Sequence, residues 1–203
     1  MAWGARSPIG ACALDVRLSP VPKPWLPMQQ YACTFARLTF HGAVFPTPIG
    51  WTGVAYSEVG LARVALPTPS QHEALAAIGA AEPVDDAPPQ WLTDLVAALA
   101  RYLHGERVRP AAPLDLSGVT PFQRRVLLLA AEIPYGQVRT YGELARLAGA
   151  VGSARACGQA LARNPVPLVI PCHRVVGANG SLAGFAGGPK LKRWLLRLEG
   201  AIP

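Results

Sequence analysis

The chain has 203 residues, 51% of them hydrophobic and 15% charged, which excludes a charge-rich disordered chain and leaves room for one large domain or two small ones. No run approaches the roughly 18 apolar residues that cross a bilayer. The formal charge of +7 is unevenly spread: residues 1–110 hold eight basic and eight acidic side chains, residues 111–203 eleven basic against four acidic (Asp115, Glu132, Glu143, Glu199). Such a split points either to an anionic partner for the second half or to a surface kept soluble by charge.

Residues 1–30 carry five prolines and little periodicity, and read as a flexible leader, with Met28 as an alternative start. They hold no sustained apolar run of the kind a signal peptide needs. From Tyr31 to Leu66 the pattern is that of short antiparallel strands. TFARLTF alternates, FPTPIGW breaks it, TGVAYSE and LARVALP follow, and Val59-Gly60 turns between them. Helices are expected over 70–79 and 90–103, the second with Leu92, Leu95, Val96, Leu99 and Leu103 on one stripe. Residues 105–119, with Pro110 and Pro113, read as a linker. The expected fold is α/β of the α+β kind, with a small strand-and-helix domain over 31–110 and a mainly helical domain over 115–203.

The second half is punctuated by helix caps. Thr120-Pro121-Phe122-Gln123 predicts a capping box with proline at the first helical position, and Thr140-Tyr141-Gly142-Glu143 predicts another. After the turn Ala150-Val151-Gly152, Ser153 is the expected N-cap of a third helix, ARACGQALAR, which ends at Asn164-Pro165. Two short helices about a glycine-containing turn outline a helix-turn-helix. The third helix is lined by Ala154, Ala156, Gly158, Ala160 and Ala162, which suits either close packing on a neighbouring helix or close approach to a nucleic-acid backbone. Leu168-Val169-Ile170 reads as a buried strand. The last helix has Leu191, Trp194, Leu195 and Leu198 as its apolar stripe and Gly200 as its stop, with Lys192 and Arg193 open between phosphate contact and a solvated face.

The four cysteines, Cys12, Cys33, Cys157 and Cys172, form neither a disulfide scaffold nor a CxxC pair, which fits a reducing, intracellular setting. Cys157 reads as packing. Cys172 lies in Pro171-Cys172-His173-Arg174-Val175. A thiol of ordinary pKa near ~8.5 becomes a nucleophile when a base takes its proton and positive charge stabilises the thiolate. His173 could be that base. Arg174 is either structural or phosphate-facing. Glu199 ends the last helix, where the dipole disfavours an acid by about 0.3–1 kcal/mol, so a protonated His173 is a plausible partner; a solvated acid at a fraying end is the alternative.

This run, with Asn164-Pro165-Val166-Pro167 before it, resembles the active-site signature of the O6-alkylguanine-DNA alkyltransferases, the methylated-DNA–protein-cysteine methyltransferases. The resemblance extends from Thr120 to Glu199. It implies a winged-helix-like DNA-binding domain over 115–203 and a ribonuclease-H-like domain over 31–110. It implies repair of duplex DNA containing O6-alkylguanine, with O4-alkylthymine as a second candidate substrate, by base flipping and a single transfer of the alkyl group to Cys172. His173 then resembles the residue that takes the thiol proton through a water, Glu199 its carboxylate partner, and Asn164 a hinge before the nucleophile. Tyr141 resembles the residue that rotates the nucleotide, and Arg155 the one that fills the gap it leaves, with Ser153 and Gly158 on the same DNA-facing helix. Pro167, Val175, Ala183, Phe185 and Ala186 would line the alkyl pocket, Cys172 and Val175 offering carbonyls to the guanine. Phe185 and Ala186 replace a frequent tyrosine and serine, and Ala183 a frequent glycine, which implies slower reaction with bulky O6-benzyl groups.

The transfer implies no cofactor. Cys12, Cys33, His41, His72 and His104 do not reproduce the spacing of the structural zinc site of some relatives, so no metal is expected. A monomer in the cytoplasm, on the nucleoid when bound to DNA and not at a membrane, completes the expectation. The rival readings are a helix-turn-helix protein that only senses lesions, which would not need Cys172, and a cysteine hydrolase, for which no acyl pocket is evident.

Overall fold

The computed structural model describes residues 40–79, 81–83 and 88–203. The leader, Met28, Cys12, Cys33 and all of TFARLTF except its last residue lie outside the described residues. One sheet has the order β3-β2-β1-β4, formed by β1 (Phe40–Thr47), β2 (Gly50–Tyr56), β3 (Leu61–Val64) and β4 (Ala81–Pro83). The first three strands pair antiparallel, and β4 runs parallel to β1 along Phe40–Gly42. The expected break at FPTPIGW is narrower than predicted, because Phe45-Pro46-Thr47 still belongs to β1 and Trp51 to β2. Proline is tolerated at Pro46 because β4 pairs only with the start of β1, which is an edge strand by that point.

Alternation along the strands sends residues to two faces. Val44 and Ala55 pack with Ala74 and Ile78 of α1 (Gln71–Ile78), which Ser70 caps by accepting the Glu73 N–H. Ala43, Phe45, Val54 and Tyr56 face the opposite way, into the larger core that α2 (Gln90–Leu103) joins. All five residues of the predicted α2 stripe are buried, each contributing about 1.5–3 kcal/mol. Tyr102 is buried beside them.

Residues 105–119 form a strap bonded to the sheet edge. Leu61 donates its N–H to Pro113 O at 2.8 Å, Asp115 N–H donates to Leu61 O at 2.9 Å, and Ser57 Oγ donates to Asp115 Oδ2 at 2.6 Å. The larger core continues without a break from the sheet and α2 into the second half.

That half contains α3 (Pro121–Ala131), β5 (Arg139–Thr140), α4 (Tyr141–Leu147), α5 (Ala154–Ala162), a 3-10 turn (Cys172–Arg174), β6 (Val175–Val176) and α6 (Gly188–Leu198). Thr140 and Glu143 make both halves of their capping box. The Thr120 box is half formed. Its hydroxyl accepts the Gln123 N–H, but the Gln123 side chain donates instead to Ala160 O and Arg163 O, tying α3 to the end of α5. Ser153 is the N-cap of α5 by position only, since its side chain makes no capping bond.

The small residues of α5 divide between the two readings. Cys157, Ala160 and Leu161 are buried, while Arg155, Ala156, Gln159 and Ala162 are exposed. Leu168-Val169-Ile170 is buried but is a turn, not a strand. Two flanking prolines fix its entry, Ile170 N–H donates back to Val166 O at 2.9 Å, and Leu168 sits at φ 73°. Among the described residues no helix is long and apolar enough to cross a membrane.

Candidate active site

The parallel pair β5–β6 joins two segments far apart in sequence, Arg139 opposite Val175 and Thr140 opposite Val176. It places the start of α4 beside the end of the 3-10 turn, so Tyr141 lies next to the segment carrying Cys172. The cysteine is 5% exposed. Asn164 organises its approach: Oδ1 accepts the Val166 N–H at 3.0 Å, and Nδ2 donates to Ile170 O at 2.9 Å and to Cys172 Sγ at 3.2 Å. Burial pushes the thiol pKa up, and the Asn164 amide, the Lys192 charge and nearby backbone N–H groups oppose that rise.

Glu199 is the hub behind the cysteine. Its Oε1 accepts from Tyr102 Oη at 2.6 Å, His173 Nε2 at 2.9 Å and Arg174 Nη2 at 2.8 Å. Its Oε2 accepts from Arg174 Nε at 2.9 Å and Gly136 N–H at 3.3 Å. Burial alone would raise the carboxyl pKa, but the hydrogen bonds of His173 and Arg174 outweigh it and hold Glu199 at about 2. An ionised carboxylate is only an acceptor, so Nε2 of His173 carries the proton. Burial holds the His173 pKa below its ordinary value against the pull of Glu199, so the neutral ring has Nδ1 bare. That nitrogen is buried and makes no hydrogen bond among the described residues.

On the other side, Lys192 is fully buried. Its Nζ donates to Val175 O at 2.5 Å and to Tyr141 Oη at 3.4 Å, and lies 5.5 Å from the Tyr141 ring centroid. Burial lowers its pKa to about 8, and a charged Cys172 would raise it again. Tyr141 Oη donates to Ala183 O at 3.1 Å. Gly184, at φ +84°, comes so close that a Cβ there would stand 2.9 Å from that hydroxyl. The Phe185 ring centroid is 6.4 Å from that of His173, edge to face.

The chain has close counterparts among known proteins. Residues 121–201 match the family model described as 6-O-methylguanine DNA methyltransferase, DNA binding domain. The methylated-DNA–protein-cysteine methyltransferase of Mycobacterium leprae is 49% identical over 106 residues, 52% of this chain and 64% of that protein. The one from Methanothermobacter thermautotrophicus is 45% identical over 117 residues, 57% of this chain and 65% of that protein. These alignments therefore span just under two thirds of the curated relatives. The crystal structure of Mycobacterium tuberculosis OGT in complex with DNA aligns with a TM-score of 0.65 at 37% identity, covering 79% of this chain and 93% of that one. The chain belongs to the methylated-DNA–protein-cysteine methyltransferase family. The O6-methylguanine-DNA methyltransferase from Pyrococcus kodakaraensis has the same fold, with a TM-score of 0.55 at 28% identity and 99% of that chain covered.

In this methyltransferase-family fold, Cys172, His173, Asn164 and Glu199 converge as one group. Tyr141 joins them through Lys192 and the 183–186 loop. Gly158 faces the Tyr141 ring, 3.8 Å from where its Cβ would be. Pro167 and Val175 are buried, Ala183 and Ala186 exposed, and Phe185 half-buried. Ser153 and Arg155 lie apart, in the first turn of α5, half-buried and exposed. The carbonyls of Cys172 and Val175 each already accept one bond, from the Val175 N–H and from Lys192, which leaves each a second lone pair.

The roles of Lys192 and Tyr102 were not read from the sequence, and that of Arg174 was left open between two readings. Arg174 is structural: it is buried, paired with Glu199, and donates to Ile133 O at 2.6 Å. Lys192 is buried rather than solvated. Tyr102 enters the site from the first half of the chain. Its place in α2, three residues after Leu99 on the buried stripe, was the available signal, since a buried phenol needs a partner.

Proposed function

We propose that the protein repairs DNA by transferring the alkyl group of O6-alkylguanine in duplex DNA to Cys172, once per molecule and as a monomer. The observation that carries this reading is a buried thiol held by Asn164, with a neutral histidine and an ionised glutamate behind it, beside a helix pair with an exposed small-residue face. The uncapped start of α5 and exposed Arg155 suit phosphate contact and the filling of a vacated base position. A guanine stacked in the duplex cannot reach a cysteine that is 5% exposed, so the base is flipped, at a few kcal/mol.

The flipped base then enters between Tyr141, the 183–186 loop and the Pro167 wall, with its amino group directed to the free lone pairs of Cys172 O and Val175 O. The thiol proton passes to His173 Nδ1 through a bridging water, and Glu199 stabilises the imidazolium. The thiolate attacks the alkyl carbon and the C–O6 bond breaks. Its electron pair returns to the base, which takes up the proton that the thiol gave to His173 and returns to the duplex as guanine, still joined to its sugar. Lys192, next to the thiol, stabilises the thiolate while charged. The thioether product has no hydrolytic exit, so the protein is consumed. No metal or organic cofactor takes part in these steps.

Incubation with an O6-methylguanine duplex followed by intact mass should show one added methyl, mapping to Cys172 and absent from Cys172→Ser. Multiple turnover, or no adduct on a protein that binds the duplex, would reject the reading. An O4-methylthymine duplex in the same assay tests whether the pocket accepts that base.

A further inference from the structure

Glu199 Oε1 has three donors, and one of them belongs to neither the nucleophile segment nor α6. Tyr102 lies in the last turn of α2, 71 residues before His173, and is 1% exposed. Its hydroxyl is 2.6 Å from Glu199 Oε1 and 3.2 Å from His173 Nε2. The 2.6 Å bond is short, and the carboxylate can only accept, so the phenol proton points at Glu199. Its oxygen then turns a lone pair toward the Nε2–H. Tyr102 thus shares Oε1 with His173 and touches both partners of the pair.

We propose that Tyr102 is a positioning residue for the nucleophile, supplied by the N-terminal half: its hydroxyl fixes Glu199 Oε1, divides that oxygen's accepting capacity with His173, and keeps the imidazole neutral with Nδ1 bare. The proposal rests on the reading of His173 as the base. A carboxylate that already accepts from Tyr102 and from Nε and Nη2 of Arg174 binds an imidazolium less strongly than a free one would. The other groups facing the ring leave this effect distinct. Arg174 neutralises Glu199 through a bidentate pair, Lys192 adds positive charge from α6, and Phe185 is apolar. Tyr135 packs edge to face on Tyr102 but donates its hydroxyl to Leu198 O, away from Glu199.

Tyr102→Phe keeps the ring and removes only the shared donor. Titration of the His173 ring by NMR should show its pKa raised by about one unit in Tyr102→Phe and unmoved in Tyr135→Phe. The acid limb of the alkyl-transfer rate should move up by the same amount, about tenfold at a pH below the limb, with duplex affinity unchanged. An unmoved or lowered His173 pKa in Tyr102→Phe overturns the proposal, as does an equal shift in Tyr135→Phe. The NMR titration is independent of transfer, so wild type that fails to alkylate Cys172 would reject the function while this test still stands. Should Tyr102→Phe not fold, the wild type decides. A slowly exchanging Tyr102 hydroxyl proton with a nuclear Overhauser contact to His173 Hε2 supports the arrangement, and a rapidly exchanging hydroxyl rejects it.

Discussion

Five donors converge on Glu199, which is why an acid can end a helix whose dipole disfavours it. With a folded pKa of about 2 against an ordinary 4.5, its ionised form is stabilised by folding. That contribution is complete above pH 4.5, is lost as pH falls through about 2, and amounts to about 3 kcal/mol. Thermal melts between pH 5 and pH 2.5 should show a steep loss of Tm that is shallower in Glu199→Gln. Equal slopes would place the acid sensitivity elsewhere. Lys192 has the opposite balance: a charge held in the interior at about pKa 8 costs stability at neutral pH. Folding is therefore favoured further as pH rises from 8 toward 10.5, where only the unfolded chain still holds the proton. Lys192→Met should melt no lower than wild type at pH 7 yet transfer the alkyl group at least about tenfold more slowly. A variant with full reactivity would show that the thiolate does not need this charge. The motif around Cys172 was legible because Cys172 and His173, the proposed nucleophile and base, are adjacent in sequence. Tyr102 was not, because its role exists only once α2 packs on the 3-10 turn.

At the scale of elements, the last helix shows how a hydrophobic pattern can mislead by one residue. Leu191, Trp194, Leu195 and Leu198 form the most apolar stripe, but the buried positions include Lys192, Leu195, Leu196 and Glu199, spaced three and four apart as one helix face. Two of these four are charged, so hydrophobicity alone selects the neighbouring register. Leu191 and Trp194 of the expected stripe do pack half-buried against the core, so the miss is confined to the charged positions of the buried face. Helix α2 has no such conflict, and its boundaries and buried face were readable directly. Leu99→Ala, deep in that face, should cost about 2–5 kcal/mol in chemical denaturation. A loss under 1 kcal/mol would mean that the α2 core repacks freely. The β5–β6 pair was invisible in sequence because two residues on each side carry no pattern, yet it sets Tyr141 beside the pocket.

At the scale of the whole molecule, the charge split takes on a sharper meaning. Of the eleven basic residues after position 110, Arg174 and Lys192 are buried in the site, and the other nine are exposed. The exposed positive charge available to the proposed DNA partner is therefore smaller than the sequence count, and two of the eleven charges lie in the candidate site instead. Arg124, Arg139, Arg146, Arg155 and Arg163 lie on or beside α3, α4 and α5. If about four phosphates are neutralised there, affinity for undamaged duplex should fall roughly 10²-fold between 50 and 200 mM salt. Arg155 offers the decisive comparison, because its two uses leave different traces. An arginine that contacts phosphate contributes to the slope of log affinity against log salt, and Arg155→Ala would flatten that slope by about one. An arginine that fills the gap of a flipped base acts only after the duplex is opened. Arg155→Ala would then leave the slope and the affinity for intact duplex nearly unchanged while slowing transfer from O6-methylguanine. The second result is expected, since Arg155 sits in the first turn of α5 with Ala156 and Gln159 exposed beside it, where the helix can approach a groove closely. A flattened slope with an unaltered transfer rate would return Arg155 to the ordinary phosphate contacts.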